Sequence, residues 1–268
     1  MIDINSINSY TIEYSEPKIN FGEIRRYAGI KVRQTEKDIK KPTDNILQDT
    51  DNIMDADSFM NNDSLIYIDN LIAESLTGIE NLIAESLKEA LPLISYKICY
   101  RILDLDGDKN SNFGSNEKLA TELKKLEYFN NIDKVVVFGA TIGLDMDRLI
   151  AKYGKVQPSK ALIMQAIGAE RIESLCDAFE DELKDVKAKK RVSPGYGKFD
   201  LKFQNDIFSF LDLSKNIGIY LNESLLMSPS KSVTAVIPLG CKKDDIQSGC
   251  TNCNKLDCEY RKRQENEV

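Results

Sequence analysis

Hydrophobic positions along the chain follow two different periods. Residues 94–105 alternate and are rich in β-formers, which predicts a strand, and the run Lys134, Val135, Val136, Val137, Phe138 predicts a second and more buried one. Residues 217–221 and 232–237 read as further strands. Helical spacing governs much of the rest. A short helical pattern surrounds Phe21, Ile24 and Tyr27. Residues 158–190 carry a long one, with Ile172, Leu175, Cys176, Phe179, Leu183 and Val186 on one face, which makes Cys176 a small core residue. The basic cluster Lys184, Lys187, Lys189 and Lys190 would then sit at the negative end of that helix's dipole. Another helix is expected over residues 201–212.

The six residues from Leu71 to Leu76 recur from Leu82 to Leu87, an offset of eleven. Eleven residues are close to three helical turns, so both copies present one face of a single amphipathic helix that ends near Pro92. After the second strand, Gly139, Ala140, Thr141, Ile142 and Gly143 turn into a helix that starts near Leu144. That turn lacks the glycine spacing of a dinucleotide site and the Gly-Lys-Ser ending of a phosphate loop, so it reads as tight packing. Strands and helices in this mixed order, without regular βαβ alternation, give an α+β fold.

Charge and composition narrow the functions. The formal net charge is −7, which opposes general nucleic-acid affinity because neutralising phosphates needs a basic surface. Acidic residues concentrate between Lys41 and Lys88, where no Lys or Arg occurs, and the Asp- and Asn-rich part of it, residues 44–64, reads as a loop. No apolar run reaches the length of a membrane span, and the amino terminus lacks a signal-peptide pattern, so no membrane and a cytoplasmic location are expected. Histidine is absent, which removes Ser-His and Cys-His nucleophile pairs, His-liganded zinc and a His ligand to cobalt or haem iron. Any metal site would rest on thiolates and carboxylates.

Three stretches carry candidate chemistry. Residues 106–117 place oxygen ligands as a calcium loop does, but Ser111 stands where the sharp turn needs Gly and a strand precedes it, so a polar connection is the simpler reading. Four of the six cysteines, Cys241, Cys250, Cys253 and Cys258, are separated by eight, two and four residues. In a cytosolic chain clustered thiols point to metal before disulfide, here an iron–sulfur cluster or zinc. This defines a Cys-rich tail, residues 241–268, after a main unit of residues 1–240. The third stretch runs Arg191, Val192, Ser193, Pro194, Gly195, Tyr196, Gly197. Pro194 forces a turn, the glycines allow close approach of a ligand, Arg191 offers a donor fork for a carboxylate or phosphate, and Tyr196 offers an aromatic face.

The order of the run 134–149, the helix 161–183, the motif 191–197 and the segment 221–235 resembles the activation domain of cobalamin-dependent methionine synthase. Its short stand-alone versions from anaerobic bacteria look closer still, and the likeness covers about residues 20 to 240. The resemblance implies a bent, mainly antiparallel sheet flanked by helices. It also implies reductive methylation of cob(II)alamin with S-adenosylmethionine as methyl donor. The cobalamin would be carried by a partner, a cobalamin-binding methionine synthase or related corrinoid protein, and the electron would come from a reductant such as flavodoxin or ferredoxin. Arg191 then corresponds to the anchor of the donor's carboxylate. Ser193, Gly195 and Tyr196 correspond to backbone and aromatic contacts, and Asp177 falls near an acidic residue that could meet the donor's ammonium. The family's amino-terminal acidic contact and its late aromatic contact have no counterpart found in this chain. A docking subunit with structural zinc and an iron–sulfur electron carrier for a corrinoid protein are the alternative readings.

Overall fold

The computed structural model describes residues 9–30, 78–105, 116–183 and 188–240. The cysteine tail, most of the calcium-like loop, residues 44–64 and the first copy of the eleven-residue echo lie outside them.

Four antiparallel strands form the sheet, β1 (Tyr10–Glu13), β2 (Lys97–Asp104), β3 (Lys134–Thr141) and β6 (Ser232–Leu239), in the order β1-β2-β3-β6. Between β3 and β6 in the chain, β4 (Tyr220–Leu221) and β5 (Met227–Ser228) form a separate two-stranded ribbon. The near-continuous apolar run of β3 is explained by its place between β2 and β6, with helices over both faces. Val136, Phe138 and Ala140 face one core, and Val135 and Val137 face the other. Strand period thus assigns alternate residues to two separate cores.

The larger core lies under α1 (Phe21–Tyr27), α2 (Gly78–Ala90), α4 (Asp145–Val156) and α5 (Pro158–Asp181). Phe179 of α5 is fully buried there, with ring centroids 5.4 Å from Tyr100 and 5.0 Å from Phe138. Burying such a ring stabilises the fold by roughly 3 kcal/mol. The smaller core lies under α3 (Asn116–Lys124), α6 (Phe203–Leu211) and α7 (Leu213–Asn216). There Gly139 is an exclusion device: a Cβ on it would stand 2.6 Å from Leu213 Cδ2.

The α+β architecture with an antiparallel sheet flanked by helices is as expected. Three local expectations change. Helix α5 stops at Asp181 rather than running to Lys190, and its last turn contains no basic residue. The chain leaves the helix to join the free edge of β6: Lys189 N–H donates to the Pro238 carbonyl at 3.0 Å, and Val192 exchanges both backbone bonds with Val236. Strand β3 continues through Gly139, Ala140 and Thr141, so the turn begins only at Ile142. The expected strand at 217–221 shrinks to Tyr220–Leu221.

Two clamps fix α5 to its surroundings. Arg171 and Glu170, side chains 0% and 1% exposed, pair with each other, and Arg171 also donates to the carbonyls of Pro17 and Lys18 at 2.6 and 2.8 Å. Glu170 further accepts from Asn20 N–H and Ser174 Oγ, so the segment before α1 is tied to α5. At Gly168 the stem of Lys231 crosses the helix where a Cβ would stand 2.9 Å from Lys231 Cε. No described helix is long and apolar enough to cross a membrane.

Candidate functional site

Arg191 follows the end of α5 and lies against that helix. Its Nη1 is 2.8 Å from Asp177 Oδ1 and 2.9 Å from Glu180 Oε1, and its Nη2 is 2.6 Å from Glu173 Oε2. Glu173, Asp177 and Glu180 recur at four and three residues, which puts three carboxylates on one stripe of the helix. Glu180 is buried and doubly used, because it also accepts the Arg191 backbone N–H at 2.9 Å and the Lys190 ammonium at 3.0 Å. Glu173 and Asp177 are 44% and 50% exposed, so they can be resolvated when another charge takes their place. Three carboxylates against two cations leave the cluster at a formal −1.

Burial opposes the charge on Arg191, but the neighbouring Cys176 sulfur and the carboxylates of Glu180, Glu173 and Asp177 outweigh it, so its pKa lies above the ordinary guanidinium range. Cys176, fully buried beneath the cluster, has its thiol pushed up, first by desolvation. It is a core residue, as its place on the helical face suggested.

The motif after Arg191 is a closed turn. Pro194 is buried, the Gly195 N–H donates to the Phe199 carbonyl at 2.7 Å, and the Tyr196 N–H donates to the Ser193 carbonyl at 3.2 Å. Gly195 has φ +93, a left-handed conformation that an L side chain rarely adopts. With its backbone consumed in this way, the turn holds Tyr196 outward, 72% exposed.

Arg191, Ser193, Pro194 and Tyr196 line a cavity of about 380 Å³ together with Glu173, Gln204, Met227, Ser232, Val233 and Thr234. That volume falls in the range of small-molecule sites, roughly 300–1,000 Å³. Four elements meet here: α5 supplies Glu173, the start of α6 supplies Gln204, β5 supplies Met227, and β6 supplies Ser232, Val233 and Thr234. Four of the sequence-chosen residues come together: Arg191, Ser193 and Tyr196 on the cavity wall, and Asp177 bonded to Arg191. Gly195 shapes the turn that carries them. Cys241, Cys250, Cys253 and Cys258 lie outside the described residues, and among the described residues no group of His, Cys, Asp or Glu is placed to hold a metal.

The sequence reading missed Glu173, Glu180, Gln204, Met227 and Thr234. The first two share the helical stripe of Asp177 and were detectable from that spacing. Thr234 and Ser232 alternate along β6 as polar residues inside an apolar run, a weaker signal of the same type. Gln204 has no such signature.

The donor set suits a zwitterion. A ligand carboxylate on the Arg191 fork would release Glu173 and Asp177, and Glu173, which lines the cavity, is placed to accept an ammonium beside it. No family model and no curated protein matches the chain. Among solved structures, it is similar to the crystal structure of the MetH reactivation domain bound to AdoHcy, with 14% identity, a TM-score of 0.49, and coverage of 88% of this chain and 79% of that one.

Proposed function

We propose that the protein reactivates a corrinoid methyltransferase by reductive methylation, using S-adenosylmethionine on a cobalamin held by a separate protein. The observation that carries this reading is the Arg191 cavity, whose wall holds the guanidinium, the exchangeable carboxylate of Glu173 and an exposed tyrosine, with a second exchangeable carboxylate, Asp177, bonded to the guanidinium. A fixed cation flanked by carboxylates complements the amino-acid end of the donor. The acidic surplus of the cluster also favours the sulfonium charge. The absence of histidine from the chain agrees with cobalt ligation lying elsewhere.

In the overall reaction, one electron and the methyl group of S-adenosylmethionine convert cob(II)alamin to methylcobalamin, leaving S-adenosylhomocysteine. S-adenosylmethionine supplies the electrophilic methyl group when bound, and this chain's residues bind and orient it. Arg191 holds the carboxylate, Glu173 holds the ammonium, and the Ser193–Tyr196 turn keeps one side of the cavity closed. Cys241, Cys250, Cys253 and Cys258 are proposed to hold an iron–sulfur cluster or zinc. Metal and acid-labile sulfide analysis after anaerobic purification distinguishes those two.

The test is an anaerobic reconstitution of this protein with a cobalamin-binding methionine synthase, cob(II)alamin, S-adenosylmethionine and a low-potential reductant. Methylcobalamin above the level formed without this protein is the expected result. Formation no faster than that background overturns the proposal.

A further inference from the structure

The Arg191 cluster accounts for only one part of the cavity. Two other side chains line it, and each has a buried oxygen without a partner among the described residues. Thr234 is 2% exposed and Gln204 6% exposed, and neither Thr234 Oγ1 nor Gln204 Oε1 makes a hydrogen bond among the described residues. Buried polar atoms are nearly always paired in folded proteins, because leaving them dry forfeits their bonds to water. Two such atoms on the wall of one cavity imply that something entering it pairs with them.

The strand edge adds a second pair of groups at the same place. Val236 directs its N–H and C=O away from β3 to Val192. The alternation of an antiparallel ladder sends those of Thr234 to the same side. Continuing that register would set Pro194 opposite Thr234. Proline has no N–H to give and turns the chain away, so the ladder stops and the outer edge of Thr234 is left beside the cavity. A hydroxyl, an amide oxygen, a backbone N–H and a backbone C=O are therefore available without charge, with Met227 and Val233 supplying apolar surface.

This set matches a flat heteroaromatic edge on which an amino donor adjoins a ring-nitrogen acceptor, the pattern adenine presents. A strand edge offers the complementary donor and acceptor at one residue, and Gln204 Oε1 offers an acceptor to an amine hydrogen. We propose that Thr234 and Gln204 form the base-specificity pocket of the site and read the amino edge of the methyl donor's adenine. This inference rests on the S-adenosylmethionine reading above and adds residues to it.

Calorimetry with S-adenosylhomocysteine and with S-inosylhomocysteine, in which a carbonyl replaces the amine, tests it on the full-length protein. The wild type is expected to prefer the adenosyl ligand by about tenfold or more, since a site built around a hydrogen bond rejects the analogue that lacks it. Gln204→Leu is expected to bring the two ligands within about threefold of each other, and Thr234→Val to weaken the adenosyl ligand by about three- to tenfold. Arg191→Met should weaken both ligands equally. Thermal unfolding without ligand should show neither pocket variant less stable than wild type, because each removes an unpaired buried polar atom. Should Gln204→Leu fail to fold, Gln204→Met and the wild-type ratio decide. If the wild type binds both ligands alike, or Gln204→Leu and Gln204→Met retain its preference, the base pocket is overturned while the donor site stands. If the wild type binds neither ligand, the donor reading itself falls, and this inference with it.

Discussion

Helix α5 carries two arginine–carboxylate clusters that use the same chemistry to opposite ends. At one end of the comparison, Arg171 and Glu170 are sealed, with the guanidinium between a buried carboxylate and two backbone carbonyls. At the other, Arg191 is 16% exposed and two of its three carboxylates are about half exposed. The sealed pair leaves a ligand no donor to take over. The open cluster can exchange its partners, and unpaired polar atoms lie on the same cavity wall. What separates a staple from a site here is the solvent access of the carboxylates, not the arginine.

The strongest way to break the comparison is Arg171→Met. Removing one member of a buried pair strands Glu170 as an uncompensated charge, so unfolding in urea should show a loss of about 3–5 kcal/mol. A loss no larger than that of an exposed ion pair would mean that the cluster is not the staple it resembles. Arg191→Met should destabilise less, by about 1–2 kcal/mol, because Glu173 and Asp177 can return to water and Glu180 keeps Lys190. Its larger effect should be on ligand: S-adenosylhomocysteine affinity measured by calorimetry should fall about 10- to 100-fold, the loss of a charged hydrogen bond. Equal stability losses for the two variants would erase the distinction.

A third cluster, on the surface, sharpens the scale from below. Burial alone would raise Glu89, but hydrogen bonds from Lys160, Tyr153 and Lys152 overcome it and hold the carboxylate down to about 2. A depressed folded pKa stabilises above the ordinary value of 4.5 and loses that contribution as pH falls towards 2. Glu89→Gln should therefore flatten the decline of the thermal midpoint across that acid window and leave stability near neutral pH slightly lower. An unchanged acid decline would show that this network contributes nothing measurable, as many exposed ion pairs do.

The sequence was most legible where one local rule decided the outcome. β3 and β6 were readable because buried β-branched runs have few alternatives, and the core face of α5 because its apolar residues keep helical spacing. β1 was missed because four alternating residues, partnered on the β2 side alone among the described residues, carry too little pattern. The end of α5 was overextended because the basic residues after it fit a helix dipole equally well, whereas the free edge of β6 was the stronger attraction. At the site, Arg191, Ser193 and Tyr196 stood out because a proline–glycine turn beside a cation is unusual in itself. Gln204 had no signal and Thr234 only the weak one of polar alternation along β6, since their significance lies in one unpaired oxygen each, and that becomes visible only once every neighbour is in place.

The crossing of Lys231 over Gly168 links the start of β6 to the middle of α5. Those two elements also supply Thr234 and Glu173 on the cavity wall. The bare face of Gly168 lets the Lys231 stem lie on α5, which holds the residue just before β6 against the helix that carries Glu173. Gly168 lines no part of the cavity, and a side chain placed there would first displace the movable Lys231 stem, so its absence serves the approach of two elements rather than the contact with a ligand.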